Sequence, residues 1–349
     1  MDRTISGMNR SVHGIACAGI ALVVAMTMAS SARAQGAVTP SGDGTEVSPY
    51  QITELGNLVW MGDNVGSSSG KYYTVQNDIN ASATAGWNSG AGFAPIGTNT
   101  PFMGIFNGNS NKISNLNIYR PGQDGVGLFA SVGGSGLVKN LGLSGVSVTG
   151  RNSAGGLAGM IYGGTVNECY VTGSVAGTDS VGGLAGWIYG GTVSKCYATA
   201  SVTGNNTVGG LAGGIESGST VSGCYATGLV TGNSTVGGLV GSCNDWNSTV
   251  SGCYAAGQVT GSGPIGGLVG YLGGGSVSFS YWDTNTTGQA TSAGGGFGKT
   301  TTQMKQQATF VGWNFTTVWR ITENVTYPLL RLSFSRPTGL PWMNLLLGQ

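Results

Sequence analysis

The sequence predicts an all-β fold, a right-handed parallel β-helix (a solenoid) with N- and C-terminal caps. Three observations predict it. The first is a repeat: Leu157, Leu184, Leu211, Leu239 and Leu268 each sit in a GGLxG segment, at spacings of 27, 27, 28 and 29. Self-similarity at a period of this size marks stacked units, none of which can bury its apolar side alone. The second is a set of fixed columns. Val166, Val175, Val181 and Leu184 are separated by 9, 6 and 3 residues, and the same gaps recur from Val193, Val221 and Val250. Only the step from each leucine to the next valine varies, running 9, 9, 10, 11 and 9. A rigid path with one elastic corner is what a stack of coils produces. The third is residue type. Val, Ile, Thr and Tyr dominate the repeats, separated by Gly, Asn and Ser clusters. No apolar period of 3.6 runs through a repeat. Glycine fills 67 of 349 positions, too many for helical repeats, where each interior glycine costs about 1 kcal/mol. Collagen is excluded because no G-X-Y period exists.

Taken in chain order, residues 1–34 read as a secretory signal peptide. Arg3 and Arg10 give a positive start, Ile15 to Ala29 form a short apolar run, and Ala32-Arg33-Ala34 fits a small-residue cleavage site. Cleavage after Ala34 places the protein outside the cytoplasm, secreted or on the outer cell surface. No later segment is long and apolar enough to span a bilayer. Residues 35–105 read as an N-terminal capping region. It holds one short amphipathic piece (Leu55, Leu58, Val59) and extended segments near Tyr72–Val75 and Ile96. The coils run over 106–283. The stretch Phe106 to Leu116 leads into them, and Val138 precedes Val166 by 28 residues. After Tyr281-Trp282-Asp283 the pattern stops, and 284–349 reads as a C-terminal cap and tail. A short helix is expected over Thr302–Ala308. Trp313, Phe315, Trp319 and Tyr327 are expected to cover the last coil, and Leu345 to Leu347 to pack on it.

Strict inward and outward alternation fails twice in each unit. Val166 and Cys169 cannot both point inward on one straight strand, nor can Val181 and Leu184. A corner or bulge is expected in each interval, with Gly182-Gly183 suited to the second.

Charge and histidine content exclude whole classes of function. Removing residues 1–34 takes away Arg3, Arg10, Arg33 and Asp2, leaving eleven basic and twelve acidic side chains. That balance lacks the basic stripe that nucleic-acid binding needs. The sole histidine, His13, lies in the leader. Its loss removes Ser-His-Asp and Cys-His catalysis and every His-based metal site. The acids are scattered. Glu168 aligns with Lys195, then Gly223 and Gly252, which suggests one cross-coil ion pair and no acidic row. No catalytic residue, metal site or cofactor is implied, and the chain is expected not to be an enzyme.

Cys169, Cys196, Cys224 and Cys253 form a column at spacings of 27, 28 and 29. Stacked strands lie about 4.8 Å apart, inside the Cα separation a disulfide tolerates. Two readings stand: disulfides such as Cys169–Cys196 and Cys224–Cys253, or a ladder of buried thiols. Cys243 belongs to no column.

The motifs together resemble the GLUG repeat of bacterial surface and secreted proteins. The GGLAG and GGLVG segments carry the resemblance, with TVSKCYATASVTG-type text after them. The flanks match as well: PYQIT, NDI (77–79), PIG (95–97), FMGIFNGNSNKISNL, YWDTNTTGQ, GKTTTQM and YPLLR. The likeness covers roughly residues 45–331. Such repeats accompany the catalytic domains of IgA-cleaving metallopeptidases and occur in adhesin-like proteins. This chain has no HExxH segment, so peptidase activity does not carry over. The resemblance implies a surface-exposed scaffold and names no ligand.

Binding residues are sought where variation is allowed, at the elastic corner. It carries Tyr162, Tyr189, Glu216, Asp245, Trp246 and Tyr271. Aromatic rings among Asn and Gly suit an extracellular glycan or a host or matrix protein; equally, they can simply cover the corner. The second aromatic column, Tyr170, Tyr197, Tyr225, Tyr254 and Tyr281, is regular enough to read as a structural stacking ladder. The function expected is a non-catalytic adhesion or binding scaffold. The alternatives are a polysaccharide-active lyase or hydrolase, and an ice-binding protein. For the last, Thr165, Thr192, Thr220 and Thr249 form one threonine row and Thr172, Thr199 and Thr227 another.

Overall fold

Each repeat closes one turn of a parallel β-solenoid of about six turns in the structure, a computed structural model that describes residues 36–332. The leader read over 1–34, its cleavage site and the Leu345–Leu347 tail lie outside the described residues. One coil shows the path. Wall I is the strand Thr165–Asn167, wall II Tyr170–Ala176, wall III Asp179–Gly182 and wall IV Ala185–Tyr189. Corresponding strands stack in register to give sheets of nine, thirteen, five and six strands, and every named strand pair in these walls is parallel. Val166 pairs with Val138 on one side and Val193 on the other, and Val193 continues to Val221 and Val250. The expected columns are therefore rungs of one axis.

Why the sequence folds this way follows from period two. On wall I, Val166 points inward and is fully buried, while Thr165 and Asn167 flank it on the outer face. The valine columns of walls II and III and the leucine column between walls III and IV are buried in the same way. Even the leucine corner keeps axial hydrogen bonds. Leu184 N donates to the Leu211 carbonyl at 2.9 Å, and Leu211 N to that of Leu239 at 2.8 Å. Each coil thus satisfies its backbone on its neighbours, which a single turn cannot do.

Both expected corners are present, for different reasons. Between Val166 and Cys169 the chain turns at Glu168 (φ 51°), and the rungs above repeat this left-handed position at Lys195, Gly223, Gly252 and Phe279. Between Val181 and Leu184 it bends at Gly183–Leu184, where the requirement is space. A Cβ at Gly183 would lie 2.4 Å from the carbonyl oxygen of Gly210 and 2.8 Å from Ala198 Cβ. A further left-handed column, Ser153, Ser180, Thr207 and Thr235 (φ 51–54°), opens wall III; the alternation pattern gives no sign of it. From Val166 onward the length variation falls between walls IV and I, as the gap analysis requires, while the coil before holds one extra residue in wall II, where Val171 pairs with Leu143 but Gly173 with Val146. The corner between walls IV and I grows from Gly163-Gly164 to Ser217–Ser219 and then Asn244–Ser248.

The cysteine column is a ladder of buried free thiols among the described residues, so the disulfide alternative is not what the structure holds. The physical reason is that successive cysteines take the same orientation and are bonded into it. Cys169 Sγ contacts the Asn167 carbonyl at 3.3 Å, while Cys169 N donates to Cys196 Sγ at 3.4 Å. Cys196 and Cys224 repeat both contacts. On the last rung Ser280 Oγ takes the sulfur's place and accepts from Cys253 N at 3.1 Å. Cys243 is also a buried thiol.

Stacking begins before the repeats are recognisable. The region 35–105 gives strands to the walls themselves, with Tyr50–Ile52 pairing Tyr72–Val75, which pairs Ile105–Asn107. The expected helix spans Leu55–Asp63 and buries Leu58 and Met61. Asn57 holds its start: the side-chain oxygen accepts from Thr53 N at 2.9 Å and the amide donates to the Val38 carbonyl at 2.9 Å.

At the far end the aromatic group of residues 313–327 covers the last coil from its side, with Trp313 Nε1 donating to the Phe279 carbonyl at 2.8 Å, and extends past it along the stack. It lies along the outer face of wall II, against Tyr225, Tyr254 and Tyr281 of three successive coils. Trp319 approaches Tyr225 and Tyr254 at 6.2 and 6.1 Å, and Trp313 lies 5.8 Å from Tyr281. The outward tyrosine column is a strip of apolar surface that requires cover. The end of the stack is closed by buried Trp282, whose indole N–H donates to the Gln289 carbonyl at 2.9 Å, and by the chain at 291–297. The short helix falls at Thr301–Met304 with a 3-10 turn at Gln307–Thr309.

Candidate functional site

Wall IV and the elastic corner after it carry the exposed aromatic side chains that the sequence singles out. Alternation sends Ile161 and Ile188 into the core and turns Met160, Tyr162, Trp187 and Tyr189 outward. Tyr162 and Tyr189 are rung partners with rings 4.9 Å apart and 3° from parallel, and they are 58% and 38% exposed. Gly133 precedes Tyr162 in that column and half-buried Glu216 follows Tyr189.

The neighbouring outer column reads Ser131, Met160, Trp187, Gly214, Ser242 and Tyr271, rung by rung. Trp187 lies across Gly214: a Cβ there would sit 2.3 Å from the indole. Only glycine gives the ring this seat. Ser242 Oγ is buried with no hydrogen-bond partner among the described residues.

The longest corner, Asn244–Ser248, projects Trp246, which is 85% exposed. Asp245 pins the base of that loop, accepting from Gly218 N at 2.9 Å and Ser248 N at 3.0 Å. Burial alone would raise the pKa of Asp245, but the hydrogen bonds from Ser248, Gly218 and Ser217 outweigh it and hold the carboxyl below its ordinary value. Asp245 is therefore a structural anion that fixes Trp246.

Of the six residues chosen from the sequence, Tyr162, Tyr189 and Glu216 share one column. Tyr271 stands in the next, and Asp245 and Trp246 lie in the corner loop. Sequence reasoning missed Met160 and Trp187. The signal was available, because each lies two residues before a tyrosine and so on the same face of the strand.

The tyrosine ladder of wall II is the docking surface of the C-terminal segment. Its rings stack at 5.0, 4.7 and 4.9 Å from Tyr170 through Tyr254. Tyr254 Oη donates to the Pro328 carbonyl at 2.9 Å, and Tyr281 Oη accepts from Val311 N at 3.1 Å. Burial, then the adjacent tyrosine, pushes the Tyr197 hydroxyl up to about 12.

Most described carboxylates hold structural positions. Asp124 takes a two-point contact from Arg151 at 2.7 and 2.6 Å. Glu168 meets Lys195 at 3.2 Å, the cross-coil pair expected from their alignment. Asp283 caps the turn Thr284–Thr287 and accepts from Tyr327 Oη at 2.6 Å. Among the described residues no group of three His, Cys, Asp or Glu side chains is placed to hold a metal ion, and no helix is long and apolar enough to cross a membrane.

Comparison with known proteins agrees with this architecture. The GLUG motif matches residues 177–203, which run from the end of wall II of one coil to the end of wall II of the next. Halomucin of Haloquadratum walsbyi is 42% identical over 136 residues, which is 38% of this chain and 2% of halomucin. A protein of Evansella cellulosilytica described as a Gly-rich membrane protein is 36% identical over 140 residues, 38% of this chain and 16% of that protein. This chain thus spans a small fraction of the length of these relatives. A solved Bacteroides ovatus protein, described as a candidate immunoglobulin A1 protease, superposes with a TM-score of 0.66 at 23% identity. The match covers 84% of this chain and 95% of that one, and the likeness is one of fold.

Proposed function

We propose that this chain, a GLUG-repeat protein, is a non-catalytic scaffold displayed outside the cell that binds glycan or matrix through wall IV and its elastic corner. The observation that carries the reading is the Tyr162–Tyr189 pair with Trp246 beyond it, exposed aromatic rings on the one corner free to change length. Two ring faces of the pair are turned to each other. The outer face of Tyr162 lies toward Gly133, which has no side chain, and that of Tyr189 toward Glu216. A pyranose ring can lie on such a face while Glu216 or Asn244 accepts or donates hydrogen bonds at its hydroxyls.

The non-catalytic part of the reading rests on chemistry. No histidine remains after the leader, and the carboxylates of Asp124, Glu168, Asp245 and Asp283 are engaged in holding turns and neighbouring coils. Secretion rests on the leader-like residues 1–34.

Screening the chain without residues 1–34 on glycan and matrix-protein arrays tests the proposal. Binding should weaken about 30-fold in a Tyr189→Ala, Trp246→Ala double variant, the effect of losing about 2 kcal/mol of aromatic contact. Absence of any glycan or matrix ligand would reject the binding role. Polysaccharide turnover lost on changing one acid would reject the non-catalytic role.

A further inference from the structure

The outer face of wall I has a chemistry unlike that of the other walls. Over five successive rungs its two outward positions are Thr165 and Asn167, Thr192 and Ser194, Thr220 and Ser222, Thr249 and Ser251, and Ser276 and Ser278. Ten positions thus form a two-column array without a charge or an aromatic ring. Rungs repeat at about 4.8 Å along the axis, and the columns lie about 6.7 Å apart, twice the rise per residue of a strand. The array begins after Leu137 and Lys139 and ends with the last strand of the wall.

Its hydroxyls are open. Thr165, Thr192, Thr220 and Thr249 make no side-chain hydrogen bond among the described residues, nor do Ser222, Ser251, Ser276 and Ser278. Within the array only Asn167 and Ser194 are paired, at 2.8 Å. The four threonines are half-buried, which leaves their unpaired hydroxyls free to bond solvent. Threonine is stiff at χ1, and the ladder beneath fixes each Cα. The first water layer on this face therefore inherits a two-dimensional repeat from the protein, with methyl groups spacing the bound waters.

We propose that this face of wall I binds ice. A neutral array of hydroxyls and methyls, repeated rung by rung, is complementary to a periodic, neutral lattice of water. The face lacks what a saccharide would use: aromatic rings stand on wall IV, and none stands on this array. The neutrality is itself complementary, since an ionised side chain would hold its own hydration shell in place of a lattice position. The inference is independent of the glycan reading of wall IV, and each can fail alone.

The experiment uses the chain without residues 1–34. Its enrichment in slowly grown polycrystalline ice and the freezing hysteresis of its solutions are measured beside Thr220→Tyr, Ser222→Tyr and, as a control on wall II, Thr203→Tyr. Wild type and Thr203→Tyr are expected to enter ice and separate the melting and freezing points. Thr220→Tyr and Ser222→Tyr, each raising a ring from the middle of the array, should fall to the level of a non-binding protein with unchanged circular dichroism and melting temperature. Should one of them fail to fold, the other serves. Exclusion of wild type from ice overturns the proposal, as does equal ice binding by a folded Thr220→Tyr or Ser222→Tyr. Retention on crystalline cellulose or chitin without ice binding also overturns it.

Discussion

Replacing Gly210 by alanine tests whether the GG pair of each repeat exists for space or for backbone freedom. Gly210 has no positive φ, so alanine can adopt its backbone conformation. An added Cβ would nevertheless lie 2.2 Å from the Gly238 carbonyl oxygen of the next coil and 2.8 Å from Ala226 Cβ. The first distance is more than about 1 Å inside favourable contact. It involves backbone on a rung that cannot rotate away. Overpacking of this kind typically costs about 1–3 kcal/mol, and an immovable partner places it at the upper end. The narrower unfolded ensemble of alanine returns about 0.4–1 kcal/mol. The net expectation is a loss of about 2 kcal/mol or more. Gly66→Ala and Gly86→Ala are the controls. Neither glycine has a positive φ or any atom within 4 Å of an added Cβ, so both should be neutral or up to about 1 kcal/mol more stable. Because a solenoid unfolds unit by unit, urea denaturation should be paired with hydrogen exchange of peptides spanning 180–245. The bonds from Leu184 N to the Leu211 carbonyl and from Leu211 N to the Leu239 carbonyl flank the substitution, and their protection should fall first. A Gly210→Ala protein with wild-type stability and protection would refute the close-packing argument.

Gly252 is the converse case. It has φ 61° but only one neighbour near an added Cβ, at 3.8 Å, and Asn140, Glu168 and Lys195 occupy the same left-handed column. Gly252→Asn should therefore change the urea midpoint by less than about 1 kcal/mol, whereas Gly210→Asn should abolish folding. The buried thiols Cys196, Cys224 and Cys253 are pushed well above their ordinary pKa, chiefly by desolvation and then by the adjacent thiol. Their neutral forms are favoured in the folded state. The associated stability is complete below the unfolded thiol value of about 8.5 and is lost as pH rises through the folded values. The urea midpoint should decline above about pH 9, and a flat or rising profile would contradict it; the same thiols should resist aromatic disulfide reagents until urea is added. Tyr254→Phe removes the hydroxyl that bonds the Pro328 carbonyl at 2.9 Å. It should cost about 1–3 kcal/mol by leaving a buried carbonyl unpaired, and limited proteolysis should show earlier cleavage in 300–332; unchanged proteolysis would separate that bond from the docking of the segment.

The inner half of the molecule was legible because its constraint is periodic. A valine at 166, 193, 221 and 250 is a statement about one axis, and the register of those residues follows from it. The place of the elastic corner was legible for the same reason, since insertions are tolerated only where no column crosses. Three things were not. The left-handed positions at Ser180 and Thr207 carry residues that do not favour positive φ, so composition hides them. The thiol state of the cysteine column depends on side-chain orientation, which Cα spacing does not fix. The path of the C-terminal aromatics depends on which apolar strip is left bare. The sequence shows the tyrosine column and the tryptophans separately, without saying that one covers the other. At the elastic corner, Tyr162, Tyr189 and Trp246 could be picked out one at a time. Their partners Met160 and Trp187 emerge only when alternation is applied on both sides of the inward isoleucines.

The division between inner and outer columns explains how one stack can present unrelated surfaces. A strand in these walls fixes only its inward residues, because the outward ones touch no other coil except along their own column. Each outer column can therefore take its own chemistry at almost no cost to folding. Wall I carries hydroxyls, wall II tyrosines, wall IV aromatic rings beside a carboxylate. Wall II is spent internally: Tyr225, Tyr254 and Tyr281 are buried under the C-terminal segment, which closes off the strip most prone to non-specific association. Walls I and IV, which carry the two proposed surfaces, are faces on which a substitution should leave the stack unaltered. Thr220→Tyr and Trp246→Ala should therefore leave the melting temperature where it was, and a large fall would mean that an outer column, for the first, or the corner loop, for the second, helps to hold the coils together.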